Sequence, residues 1–272
     1  MVRRCLCRIF AHHYKKELLP YMAILIFFIA HHYLSLFSQT FFQHRYGAHG
    51  AFTMSKGWER FFFIFTWITE GSSYLSPRAY AIMHRMHHAY ADTDKDPHSP
   101  LHHKNVFAMM WATKTVYTNI FERKTEVEPR FTKNLPDWDS FDRFAHSWGP
   151  RIFWAAAYTA FYIYFATSWW MFLLLPIHFT IGPIHGAIIN WYAHKYGYKN
   201  FQLKSTAVNL MPVDIIMLGE GYHNNHHKRA SHPNFGIRKY ELDPVYPFIK
   251  LFNATGIIKL KKLPEKFIET DF

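Results

Sequence analysis

The stretch RIFWAAAYTAFYIYFATSWWMFLLLPIHFTIGPIHGAII, residues 151–189, has one Lys/Arg/Asp/Glu charge, Arg151, at its start and is otherwise almost unbroken in its apolar character. At a helical rise of about 1.5 Å per residue it is too long for one membrane span and long enough for two tight ones. Ser168, Pro176 and Pro183 mark where such a helix turns or breaks. The pattern predicts a transmembrane hairpin, with arms at roughly 151–168 and 169–189, that leaves one face of a bilayer and returns to it.

Working outward, the flanks of this run are rich in histidine. Upstream lie HRYGAH, with His44 and His49, and HRMHH, with His84, His87 and His88; downstream lies HNNHH, with His223, His226 and His227. In the second and third clusters the i, i+3 and i+4 spacing places the imidazoles on one helical face, and the adjacent pair splays enough to serve two neighbouring metals. His44 and His49 are five apart, about 140° on an α-helix, and converge if the helix ends between them, which Gly47 would permit. Imidazole suits iron, zinc and copper. Other pairs, His12–His13, His31–His32 and His102–His103, lack the triplet pattern and read as surface or structural residues. His178 and His185, inside the apolar run, read as buried packing or hydrogen-bonding residues, or else as lining a substrate tunnel, and His98 as a residue behind the ligands or a loop hydrogen bonder.

One metal site cannot be divided across a bilayer, so every cluster must reach the same face. Residues 60–83 therefore should not cross; their Glu70, Ser72, Ser73, Pro77 and Arg78 agree, and the segment is expected to be an interfacial amphipathic helix. Residues 19–43 form a first membrane segment long enough for one span. A single crossing puts the N-terminus opposite the clusters, whereas Arg3, Arg4, Arg8, Lys15 and Lys16 favour the cytosolic side. Either the segment enters and returns, or the charge rule fails. Cys5 and Cys7 are too close for an unstrained disulfide and read as reduced cytosolic thiols. The net charge of +12, interleaved with apolar runs, points to a membrane surface and anionic ligands rather than nucleic acid.

The order HRxxxH, HRxHH, HNxHH resembles the membrane-bound fatty acid desaturases, above all the stearoyl-CoA type of acyl-CoA desaturase. HRMHHAYADTDKDPHSP (84–100), GEGYHNNHH (219–227) and NWYAHKYG (190–197) extend the likeness across about residues 40–245. The resemblance implies one membrane desaturase domain over 1–272. It further implies an all-α integral membrane protein, with one or two helices before the first box, the hairpin at 151–189, and a cytosolic helical cap at 190–272 holding a di-iron site. It adds His194 as a ninth ligand and Asn190 as a residue reaching the metal through water. The two ferrous ions would use O2 and two electrons to place a cis double bond in a long-chain acyl substrate, expected to be acyl-CoA or else another acyl lipid. No fused cytochrome is expected, so the electrons would come from a separate donor, a ferredoxin or a b-type cytochrome. Glu220, Asp94 and Asp96 are candidates to accept from ligand N–H groups, and Arg85 to orient a headgroup or pair with such an acid. The chain departs from the family in its short segment before the first box, the missing basic residue after HRYGAHG, and Trp191 beside Asn190.

Two other readings share these residues. A lipid hydroxylase could use the same metal site, and a non-enzymatic membrane protein could bind metal or lipid without turnover.

Overall fold

The computed structural model describes residues 21–261. Helix α1, Tyr21–Ala48, is one helix of 28 residues whose last part, Gln39–Ala48, winds as a π-helix. Short strand β1 (Phe52–Met54) leads to α2 (Lys56–Glu70), α3 (Pro77–Tyr90), α4 (Val106–Phe121), α5 (Asp139–His146) and α6 (Trp148–Phe165). A 3-10 turn, Trp169–Leu174, runs into α7 (Leu175–Phe179), and α8 (Ile181–Ala187) continues as a π turn through Tyr192. The last elements are α9 (His223–Lys228), α10 (Tyr246–Ala254) and β2 (Ile258–Leu260), which pairs antiparallel with β1. The protein is mostly helical, as expected from the sequence.

Local chemistry sets the helix ends. Ser55, Ser76 and Asn105 each accept a backbone N–H of the first turn of α2, α3 and α4, and Pro77 starts α3 where no donor is needed.

Residues 60–83 are not the one helix expected. Gly71 adopts φ +53°, in the left-handed region, and ends α2; a Cβ there would collide with the Tyr158 hydroxyl. The Ser76–Pro77 start then makes α3 a separate helix, and α3 carries the second histidine cluster. On α2, Trp58, Phe61, Ile64 and Ile68 form an exposed apolar stripe, while Phe62, Phe63 and Thr66 are buried.

Among the described residues α1 is the one helix long and apolar enough to cross a membrane. It has no break that would turn it back, and Leu19 and Pro20, like the basic N-terminus with Cys5 and Cys7, lie outside the described residues. The second arm of the 151–189 run is not one straight span: Trp169–Phe179 and Ile181–Tyr192 meet at 70°. Thr180 sits at the bend with its hydroxyl on Pro176 O, the carbonyl that helix continuation would have used.

These segments pack through Ile24, Tyr158, Tyr162, Met171 and Leu175. A polar seam threads the same layer: Tyr162 Oη lies 2.9 Å from His178 Nε2, and His178 Nδ1 lies 2.6 Å from His31 Nδ1. His178 is thus buried and hydrogen-bonded. Replacing it with phenylalanine leaves two buried partners without one, and is expected to lower stability by about 1–3 kcal/mol. Thermal unfolding in detergent checks this, and an unchanged midpoint would refute it.

The core on the site's side joins Phe41 and Phe42 of α1 to Phe62, Phe63, Ile249 and the β1–β2 pair. At the end of α2, burial pushes the Glu70 carboxyl up to about 8, against hydrogen bonds from Leu75 N–H and Gln43. The folded state therefore favours the protonated form. Its contribution is fully present below about 4.5, the ordinary value, and is lost as pH rises through about 8. A Glu70→Gln chain is expected to gain stability over the wild type progressively across that window, read as a difference in thermal midpoint that widens with pH. A pH-independent difference would contradict it.

Candidate metal centre

The π-helical end of α1 brings His44 and His49 together. In a π-helix hydrogen bonds run between residues five apart, so side chains at i and i+5 become neighbours. His49 N–H donates to His44 O at 3.1 Å, and the two rings lie 4.9 Å apart. The convergence expected from a helix end at Gly47 is achieved by over-wide winding instead. In α3, His84 and His88 face these two while His87 turns to the other side.

The third cluster sits on α9, a helix too short to hold itself. The two asparagines of HNNHH anchor it. Asn224 accepts from Asn200 N and Phe201 N and donates to Phe201 O and Ala207 O. Asn225 donates to Phe235 O and Glu241 Oε2 and accepts from Asn200 and Asn209. Both amides are buried with every hydrogen-bonding position filled.

Nine histidines thereby form two groups. His44, His49, His84, His88 and His226 make one, and His87, His194, His223 and His227 the other, with candidate ligand atoms in each within 4.8 Å of one another. The Nε2 atoms face inward: His44–His226 at 3.0 Å, His49–His84 at 2.9 Å, His88–His226 at 2.8 Å, His194–His223 at 3.0 Å and His87–His227 at 3.2 Å. Ligands bound about 2.0–2.1 Å from a common ion at right angles stand about 2.9 Å apart, so this spacing fits one metal ion per group. Burial, reinforced by neighbouring imidazoles, holds His49, His84, His88, His223, His226 and His227 well below the usual imidazole range. His87 is pushed the same way, and His194 is lowered. Their lone pairs are therefore free at neutral pH.

Two of the outward Nδ1 atoms meet carboxylates, while those of His223 and His226 are buried without a hydrogen-bond partner. His87 Nδ1 lies 2.9 Å from Asp96 Oδ1, and His44 Nδ1 lies 2.7 Å from Glu220 Oε2. Burial opposes the charge on Glu220, but His44, Arg45 and Thr40 hold its pKa below the usual carboxylate range. Such partners fix the ring so that Nε2 points at the metal.

Two expected residues act elsewhere. Asp94 is fully exposed, 3.8 Å from His102, because Asp92 at φ +64° turns the loop so that Asp92 and Asp96 face inward. Arg85 pairs with carbonyls rather than with a carboxylate: it donates to Gly47 O and Ala48 O at 2.8 and 2.7 Å and to Lys133 O at 2.6 Å, tying off the end of α1. Asp92 was not foreseen; it accepts from Thr206, whose hydroxyl lies 3.0 Å from His194 Nδ1. Nor was fully buried Arg45, which bonds Thr40, Asp243 and Pro233 O and lies 3.8 Å over Phe235. Its place directly after His44 in the sequence was the available signal.

A cavity of about 1100 Å3 runs beside both groups. Its wall includes His44, His84, His223 and Asn190, with polar residues such as Gln39, Thr40 and Glu220, and an apolar part with Leu36, Met83, Ile189 and Met217. His98 and His185 also line it; His98 is buried 4.3 Å, ring to ring, from His87.

Two converging imidazole groups beside a long apolar cavity define the class: a helical protein able to bind metal, with room for an extended apolar ligand. The chain belongs to the fatty acid desaturase family, whose model (Fatty acid desaturase) matches residues 19–253. It is 26% identical to Delta-9 desaturase-like 5 protein of Arabidopsis thaliana, over 96% of this chain and 82% of that protein. It is 26% identical to sn-1 stearoyl-lipid 9-desaturase of Anabaena variabilis, over 82% of this chain and 78% of the relative. It is also 24% identical to Delta-9 acyl-lipid desaturase 1 of Arabidopsis thaliana, over 82% and 70%. These likenesses support fatty acid desaturation, an oxidoreductase reaction, and with α1 they support membrane association.

Proposed function

We propose that the nine histidines hold two iron ions, with Asn190 reaching them through water, and that the protein places a cis double bond in a long-chain fatty acyl substrate. The balance is one O2, two protons and two electrons from a separate donor, a ferredoxin or b-type cytochrome, for the two hydrogens removed from adjacent methylenes; the products are the alkene and two waters. Bound iron would supply the O2 chemistry. The chain's own residues do the rest: Glu220, Asp96 and the Thr206–Asp92 pair orient imidazoles, and the apolar wall lays the acyl chain against them and keeps water out. The observation that carries the reading is that one apolar cavity touches both histidine groups, through His44 and His84 of one and His223 of the other.

In this reading α1 and the 151–189 segment are embedded in the bilayer, the apolar stripe of α2 lies at its surface, and 190–272 caps the cytosolic side. With α1 crossing once, its start at Tyr21 lies on the opposite face.

Lipid analysis of a host expressing the chain, beside a His84→Ala control, tests the function. Unsaturated acyl chains in the first and not the second support it. Equal amounts in both would sink it, and a product gaining one oxygen, rather than losing two hydrogens, would identify the hydroxylase. Glu220→Gln is expected to weaken metal binding roughly 10–100-fold while leaving the fold intact. Iron retained per chain after exposure to graded chelator measures it, and wild-type retention would remove Glu220 from the orienting role.

A further inference from the structure

Among the described residues, His98 is the one histidine whose two ring nitrogens are both buried and both without a hydrogen-bond partner. The residue is 2% exposed. Leaving polar atoms unpaired in the interior costs stability, and a phenylalanine would fill the same space without that cost. A native imidazole kept in this state points to an ion or other ligand that the ring receives.

The surrounding loop holds the ring in place. Asp92, at φ +64°, starts the turn; Ser99 Oγ donates to Asp92 Oδ1 at 3.0 Å, and Thr113 Oγ1 donates to Pro97 O at 3.4 Å. His98 N–H donates to Asp96 Oδ1 at 3.1 Å, so the backbone ties this imidazole to that carboxylate. One candidate ligand atom from each of His87, Asp96 and His98 lies within 4.8 Å of the others, a third group beside the groups of five and four. Two imidazoles and a carboxylate suit a divalent iron, cobalt or zinc ion. Thr93, Asp94 and Lys95 of the same loop are exposed, whereas Pro97 and His98 are buried, so the loop passes from solvent to this group within a few residues.

His87 is common to the third group and the four-histidine group. Its Nε2 stands 3.2 Å from His227 Nε2, on the side of the four, and its Nδ1 stands 2.9 Å from Asp96, on the side of His98. An ion held by His98 and Asp96 is therefore one imidazole away from the four-histidine group. When Nε2 of His87 takes the ion, the Nδ1–H stays on Asp96, and the third group is left with two ligands and a weaker hold.

We infer that His98, Asp96 and His87 form a loading site, at which a divalent metal ion binds first and from which it passes into the four-histidine group by exchange of ligands around His87. This rests on the reading that the nine histidines hold two metal ions. The transfer is ligand exchange alone: the ion keeps its charge and gives up bound water as protein ligands replace it.

Cobalt(II), added alone to full-length protein stripped by chelator in detergent, is the probe. Visible absorption of the bound ion gives the rate, and metal per chain gives the amount. Wild-type protein is expected to fill two tight positions and to take one further ion that dialysis removes. His98→Phe is expected to fill the same two positions at a rate roughly tenfold lower, the size of effect that losing a group beside a metal ligand has, and to take no further ion. Uptake by His98→Phe at the wild-type rate overturns the inference, and so does an equal third ion in both chains. Loss of one tightly held ion overturns it as well, by making His98 a permanent ligand. If thermal unfolding shows that His98→Phe does not fold, His98→Gln is judged by the same criteria. Wild-type protein that binds no cobalt would instead sink the reading of nine metal-binding histidines.

Discussion

A His226→Ala chain is expected to make no unsaturated product and to lose metal from the whole group around it. His226 Nε2 stands 3.0 Å from that of His44 and 2.8 Å from that of His88, so it is shared between the first and second clusters and closes the five-histidine group. Removing it takes a ligand and opens a polar void lined by imidazoles whose pKa values burial has already depressed. Unsaturated acyl chains in the host should fall to background, and iron per purified chain should drop toward half, the four-histidine group being retained. His102→Ala, at an exposed residue outside both groups, is the matched control. Wild-type iron together with wild-type product in His226→Ala would refute the ligand assignment.

The second large effect is expected from a residue that touches no metal. Asn225→Leu is close in volume but strips four hydrogen bonds at once, leaving Glu241 Oε2, Phe235 O and the amides of Asn200 and Asn209 short of a partner. At about 1–3 kcal/mol for each buried group left unsatisfied, even partial relaxation leaves a loss of about 3–5 kcal/mol. Because α9 has six residues and carries His223, His226 and His227, its undocking removes ligands from both groups together. Thermal unfolding and iron content should therefore fall in parallel. A chain with an unchanged midpoint and full iron would show that α9 is held by its metals alone.

Much of this site was legible because helical spacing is a property of sequence. HRMHH and HNNHH place their histidines by i, i+3 and i+4 whatever surrounds them. The asparagines between the histidines were equally visible but mute, since an amide declares its role only through its partners. Asp94 and Asp96 looked alike in ADTDKDPH; the positive φ at Asp92 decided that residues 92 and 96 face inward.

By itself the sequence determined which side chains have metal-binding chemistry, which segments are apolar enough to enter a membrane, and that His84, His87 and His88 share a helix. These depend on residue type and local geometry. Only the tertiary structure decided that α1 ends in a π-helix bringing His44 beside His49, that Gly71 splits residues 60–83 into two helices, and that the returning arm bends by 70° at Thr180. It alone divided nine histidines into groups of five and four and set one cavity against both of them. The grouping is set by contacts between residues far apart in the chain, such as His44 with His226, and no local pattern encodes which of those contacts form.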